Sequence, residues 1–156
     1  MNLRKLKIAV FILIFVLSGF FREFVFLNIN EQIRITYYQV SDGNVAPMMQ
    51  WLSGLSYPQL YYSKWILTFA FSVYFCLFAA FIIRTIFGNP VYTKTTYFVY
   101  GAVFLVSVFF YAAGWLAGNT ETTYDIARFL AGLLETPAML VILSGSFLVF
   151  ENLKGK

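Results

Sequence analysis

The residues of this sequence that are best suited to chemistry are charged residues inside apolar stretches. Near the C-terminus, Glu135 is followed by Thr136 and Pro137 in "LLETPAML", and near the N-terminus Arg22 adjoins Glu23 in "GFFREFVF". Two carboxylates beside an arginine can act as acid and base on a bound substrate. They can equally be neutralised in buried ion pairs that hold helices together. Both possibilities depend on how deep these residues lie.

The surrounding composition indicates a membrane. The chain has 156 residues, of which 60% are hydrophobic and only 12% charged, whereas about a quarter of the residues in a soluble domain are charged. Uncharged runs cover 65–83 and 95–120, and a third covers 129–150 except for Glu135. Runs of about twenty residues match the hydrocarbon thickness of a bilayer. These three runs predict transmembrane helices.

The first apolar run, Ile8 to Phe21, is too short to cross, because it gives roughly 21 Å of helix. Its basic start is also typical of a signal peptide. We favour a helix that continues through Arg22 and Glu23, which gives four spans. The sequence thus predicts an all-α integral membrane protein, a single four-transmembrane-helix domain over 1–156. Its spans are about 7–29, 64–86, 95–118 and 124–150.

A long connection, residues 30–63, separates the first two spans. Pro47 is placed like a first-turn proline, and apolar residues follow it at helical spacing. This pattern predicts a short amphipathic helix on the outer surface that contacts lipid or a partner membrane protein. Its contact residues would be Met48, Met49, Trp51, Leu52 and Leu55.

The distribution of basic residues predicts the orientation. Seven fall at the two termini and the second connection, against four on the other side, where five acidic residues accompany them. The positive-inside rule then predicts that both termini are cytoplasmic and that residues 30–63 are extracytoplasmic. We expect the bacterial cytoplasmic (inner) membrane as the location.

Small residues recur at spacings of four on both sides of the connection between the third and fourth spans. Such spacings let transmembrane helices approach closely. They predict a tight hairpin of the third and fourth spans, packed through Gly114, Gly118, Ala127 and Ala131.

The charged residues of the first and fourth spans lie at similar predicted depths, Glu135 roughly 13 to 15 Å below the outer interface. A charge there costs about 2.5 to 3.5 kcal/mol on insertion scales, so it is expected to be paired or to face water. Arg128 precedes Glu135 by one heptad. We therefore predict two ion pairs, Arg22 with Glu135 and Glu23 with Arg128. Pro137 should kink the helix and leave the Leu133 carbonyl without its helical partner.

Several activities lack the residues that they need. The chain contains no histidine and one cysteine, Cys76. Imidazole ligands for zinc or haem and the usual hydrolase base are therefore missing, and we predict neither a metal nor a cofactor. The sequence has no basic stripe with interleaved aromatic residues, the pattern typical of a nucleic-acid interface.

Three functions stay open on this basis. The leading interpretation is a small non-catalytic subunit or accessory factor of a larger envelope complex. The subunit would bind lipid or another membrane protein through its outer loop and through the polar seam, the charged residues of the first and fourth spans. The alternative is an enzyme acting on a lipid-linked substrate at the outer leaflet, with Glu23 and Glu135 as catalytic acid and base. The third is a small ion-coupled carrier, for which the sequence offers few polar residues in the cytoplasmic half.

Overall fold

The protein is all-helical throughout the part that the computed structural model describes, residues 3–40, 42–118 and 120–154. These residues form six helices and no strand. The helices are α1 (Leu3–Tyr38), a 3₁₀ helix (Pro47–Gly54), α2 (Tyr57–Phe87), α3 (Pro90–Ala117), α4 (Thr120–Leu134) and α5 (Ala138–Lys154).

Local sequence signals fix the helix ends. Ser56 and Gln59 form a capping box in front of α2, with the Ser56 backbone N–H donating to Gln59 Oε1 at 2.8 Å. Gly88 ends α2 with φ of 68°, a left-handed conformation in which glycine carries no Cβ penalty. Asn89 then caps α3 by accepting a hydrogen bond from the Val91 N–H at 2.9 Å. The turn between α2 and α3 is therefore encoded residue by residue.

Three of the helices are long and apolar enough to cross a membrane: Leu6–Tyr38, Tyr57–Phe87 and Pro90–Ala117. A fourth span results if α4 and α5 cross together. The protein is thus compatible with a multi-pass membrane protein of three to four spans.

The helix is interrupted between α4 and α5, where the sequence predicted a kink inside one continuous helix. Residues 135–137 are not helical, and the two segments are bent by 68°. Pro137 has no N–H to donate and its ring obstructs the preceding turn. The resulting bend is larger than the predicted kink, because it separates two helices.

The apolar interior is divided into two clusters. The larger lies towards the turn that joins α2 to α3, here called the turn end of the bundle, and is centred on Phe15, Phe75, Ile83 and Leu143. The smaller lies towards the opposite end, here called the loop end. It joins Val25 and Ile29 of α1 to Leu52 and Leu60.

The connection between the first two spans is shorter than predicted. The helical part of α1 extends to Tyr38 and α2 already begins at Tyr57, so residues 30–38 and 57–63 are helical rather than loop. An ion pair one turn apart, Arg34 Nη2 to Glu31 Oε1 at 2.9 Å, accompanies the extension of α1. The predicted short helix over Pro47–Gly54 is present but is a 3₁₀ helix.

Helices α3 and α4 share the most extensive backbone contact among the described helices. Ser107 Oγ of α3 donates to the backbone oxygen of Ala127 at 2.8 Å, which requires a close approach. Gly114 is buried. Gly118 is exposed and ends α3 with φ of 66°, so its role is to end the helix rather than to pack against α4.

Gly19 of α1 lies against the ring of Pro137. A Cβ on Gly19 would stand 3.0 Å from Pro137 Cδ and 3.2 Å from Cγ. We expect Gly19→Leu to lower the melting temperature in detergent, with a loss of about 1 to 3 kcal/mol from overpacking. Gly101→Leu on α3 is the matched control, because a Cβ there meets no atom within 4 Å. Equal melting temperatures for the two variants would show that this contact is not tight.

Candidate functional site

A buried ion pair stands at the centre of the candidate site. Arg22 of α1 donates from Nε to Glu135 Oε2 at 2.8 Å, and its Nη2 reaches the same oxygen. The Glu135 side chain is only 1% exposed. The predicted pairing of Arg22 with Glu135 is therefore present, in the segment between α4 and α5.

The helix break also shapes the surroundings of Glu135. Thr136 Oγ1 donates to the Leu133 carbonyl at 3.1 Å, which gives that carbonyl the hydrogen bond that Pro137 cannot supply. The Glu135 N–H is shared between the carbonyls of Ala131 and Gly132, both at 3.2 Å. The backbone of the break is thus well supported, and the Thr68 hydroxyl of α2, which lines the same cavity, is a further donor beside the Glu135 carboxylate.

The second predicted pair, Glu23 with Arg128, is wrong. Glu23 Oε2 instead accepts from Arg22 Nη1 at 2.8 Å. A neighbouring side chain on α1 can reach Glu23 without any close approach of α4, so the local pair forms. One guanidinium therefore binds both carboxylates. The Arg22 guanidinium also lies over the ring of Phe26, 4.4 Å from its centroid, a favourable cation–π distance.

These charges line a cavity of about 370 Å³ between α1, α2, α3 and α4. Arg22, Glu23 and Glu135 form one part of its wall, and Arg128 forms another. Both acids that the sequence singled out therefore reach the same space, together with the predicted packing residues Ala127 and Ala131.

Lys64 of α2 is a third cation in this cavity and was missed by the sequence analysis, which placed it at the outer end of the second span. It experiences the charges of Arg128, Arg22 and Glu135. Neither Lys64 nor Arg128 forms an ion pair with another described residue. The capping box at Ser56 and Gln59 was the available signal, because it starts α2 early enough to put Lys64 two turns inside the helix.

Aromatic residues of α2, α3 and α4 form a further part of the wall, here called the aromatic wall. The ring centroids of Trp65 and Tyr111 are 4.8 Å apart, and those of Tyr111 and Tyr124 are 6.4 Å apart. The hydroxyls of Tyr61 and Tyr111 are 3.5 Å apart. Phe69 and Phe104 extend the wall with purely apolar surface. The cavity thus has both cationic and aromatic residues in its wall.

A second cavity, of about 450 Å³, adjoins the first. Arg22, Arg128 and Gly132 line both. The second cavity also includes Phe129, which is 70% exposed on the outside of the bundle. Extensive backbone contact joins α1 to α2 and α3 to α4 but not α1 to α4. A groove between α1 and α4, here called the α1–α4 groove, therefore runs from the bundle surface towards the charged cavity.

The predicted contact residues of the connection have two different environments. Leu52 is buried, and Met49 and Leu55 pack against the smaller apolar cluster. Met48 and Trp51 are 74% and 63% exposed. The 3₁₀ helix is therefore folded onto α1, with one apolar edge left outside.

The chemistry available in the cavity is recognition of a negative charge. Three cations face two carboxylates, and both carboxylates accept hydrogen bonds from the same arginine. Within the described residues no group of histidine, cysteine, aspartate and glutamate side chains could hold a metal ion. Comparison with protein-family models, curated proteins and solved structures finds no match for this chain.

We expect a double-mutant cycle at the buried pair to show strong coupling. Arg22→Leu and Glu135→Leu should each reduce folded protein in the membrane, at a cost of about 3 to 5 kcal/mol, because each leaves a stranded charge. The double replacement should recover much of that loss, since the buried Glu135 charge is removed together with its partner and only Glu23, which is 57% exposed, loses its counter-charge. Folded yield and melting temperature in detergent are the measurements.

The exposed pair Glu31 and Arg34 serves as the control, because surface pairs contribute about 0 to 1 kcal/mol. If Glu135→Leu alone leaves the stability unchanged, the ion pair between Arg22 and Glu135 does not stabilise the fold.

Proposed function

We propose that this protein is a small, non-catalytic subunit or accessory factor of a larger complex in the bacterial cytoplasmic membrane, and that it holds a membrane lipid in its charged cavity. The observation that carries this proposal is the continuity of the α1–α4 groove with a cavity that has both cationic and aromatic walls. A polar lipid has the matching halves, a charged head and an apolar chain.

The arrangement of the two acids favours binding over catalysis. An acid–base mechanism needs one carboxylate to give a proton and the other to take it. Here Glu23 and Glu135 are tied to one guanidinium, which gives them the same role as counter-charges. An enzyme acting on a lipid-linked substrate is therefore the second candidate, supported by the fact that both acids line the cavity. A carrier has less support, because the interior towards the turn end is the apolar cluster around Phe75.

We further propose a four-helix membrane bundle in which α4 and α5 form one bent span. At the turn end, the Tyr92 hydroxyl near the start of α3 donates to Glu151 Oε1 of α5 at 2.8 Å. The rings of Tyr92 and Phe147 are stacked at 4.5 Å. Because α4 starts beside the end of α3, at the loop end, these contacts favour a crossing over a re-entrant loop. Both termini would then be cytoplasmic, with the 3₁₀ helix outside.

Cysteine labelling tests this topology. In a background without Cys76, cysteines introduced at Asn44 and Lys154 should be labelled by an impermeant reagent from opposite sides of the membrane. Labelling of both positions from the same side would mean that α4 and α5 return to the side from which they entered, and the four-span proposal would fail.

The exposed edge of the 3₁₀ helix is the proposed contact surface for the partner membrane protein or for surface lipid. Met48 adapts its shape to different partners, and Trp51 is a residue type enriched in binding sites. The buried Leu52 and the partly buried Leu55 would hold this edge in place.

Lipid retention tests the binding function. Gly132 lines both cavities, and a Cβ added to it meets no atom within 4 Å. The side chain of Gly132→Phe should therefore fill the space that connects the two cavities, and its Cβ should clash with no neighbouring atom. We expect the wild-type protein to carry a stoichiometric lipid through detergent purification and the variant to lose most of it, as measured by mass spectrometry of organic extracts.

Gly145→Phe on α5 is the matched control, since a Cβ there also meets no atom within 4 Å and Gly145 does not line the cavity. Equal lipid content in all three proteins would contradict a role for the cavity.

A further inference from the structure

The charge balance of the cavity identifies the chemical class of its ligand. Three cations, Arg22, Lys64 and Arg128, line the cavity with two carboxylates. Both carboxylates bind Arg22. Lys64 and Arg128 are left without an ion-pair partner among the described residues, although Lys64 is close enough to both arginines to experience their charges. Like charges converging on an enclosed space are stabilised when an anion enters between them.

The geometry points to a phosphate-headed lipid as the occupant: we propose that its phosphate lies between Lys64 and Arg128, beside Arg22, and that its chain leaves through the α1–α4 groove. This inference rests on the proposed lipid-binding function and adds the head group and the direction of the chain. Arginine and lysine together are a common phosphate-binding set, with arginine giving directional hydrogen bonds and lysine a compact charge.

Hydroxyl groups on the aromatic wall suit the same ligand. Tyr61, Tyr111 and Tyr124 line the cavity, and a phenolic hydroxyl donates readily to a phosphate oxygen. The hydroxyls of Tyr61 and Tyr111 share at most one hydrogen bond, so one of their two protons is available. A carboxylate head would have two oxygens for these donors, whereas a phosphate monoester has three.

The position of the groove favours a lipid over free phosphate. Gly132 connects the charged cavity to the second cavity, which Phe129 and Leu133 border. Phe129 is largely exposed on the outside of the bundle. Asp125 and Thr136 also border the second cavity, but a free ion would gain nothing from the apolar surface of Phe129 and Leu133, whereas an acyl chain would bury its surface against it.

The proposal can be tested with soluble short-chain lipids and the full-length protein in detergent. Trp65 lines the cavity, so Trp51→Phe and Trp115→Phe together leave a single reporter of occupancy. Dioctanoyl phosphatidate is titrated while Trp65 fluorescence is recorded. Dioctanoylglycerol tests the chains without the phosphate, and inorganic phosphate tests the head without the chains.

We expect saturable binding of phosphatidate and affinity at least about tenfold weaker for the other two probes. Lys64→Met and Arg128→Met should each weaken phosphatidate binding by about tenfold or more, the usual effect of losing a charged hydrogen bond. Lys64→Arg should retain most of the affinity. Arg84→Met, outside the cavity, should leave it unchanged. Melting temperatures verify that each variant is folded, and Arg22 is left intact because its loss strands Glu135.

Each contrary result has a distinct meaning. Equal affinity for dioctanoylglycerol, unaffected by Lys64→Met, would overturn the phosphate head group while leaving lipid binding in place. Equal affinity for inorganic phosphate would overturn the lipid as its source. Absence of binding by every probe, with no lipid retained on purification, would overturn both this inference and the proposed function.

Discussion

The pairing of Arg22 with Glu135 is the interaction on which the rest of the structure depends. It joins α1 to the break between α4 and α5, where the Glu135 side chain is only 1% exposed and an unpaired charge would be costly. Around it, Gly19 accommodates Pro137 and Thr136 satisfies the Leu133 carbonyl. A polar network at such a point must be satisfied as a whole, because each unpaired member is costly. The helix break and the ion pair are therefore one feature rather than two.

This feature also separates the bundle into two halves of different character. Towards the turn end the interior is filled by aromatic and aliphatic side chains such as Phe15, Phe75 and Ile82. Towards the loop end the helices leave a cavity that is lined by charges and phenols. Backbone contact is most extensive between α3 and α4, and α2 packs against α1 and α3 to a similar extent, so the cavity lies among four helices where α1 and α4 do not close against each other. A space left between the helices of a bundle is a natural site for a ligand.

Much of this could be predicted from residue type and depth. Apolar runs of about twenty residues gave the helices, and the cost of a buried charge led to Glu135 and its partner. The Glu23 to Arg128 pair was wrong because a sequence neighbour, Arg22, could satisfy Glu23 without any tertiary contact. Lys64 and the aromatic wall were missed because their contribution depends on how helices rotate about their axes, which periodicity does not determine when a helix is apolar on every side.

The sequence separation of the central ion pair has a consequence for biosynthesis. The two partners are 113 residues apart, Arg22 within α1 and Glu135 just after α4. Until the segment after α4 has been synthesised, Glu23 is the only one of the two carboxylates that Arg22 can bind. The contact that fixes α1 against the break can therefore form only late in synthesis, after α2 and α3 have been made.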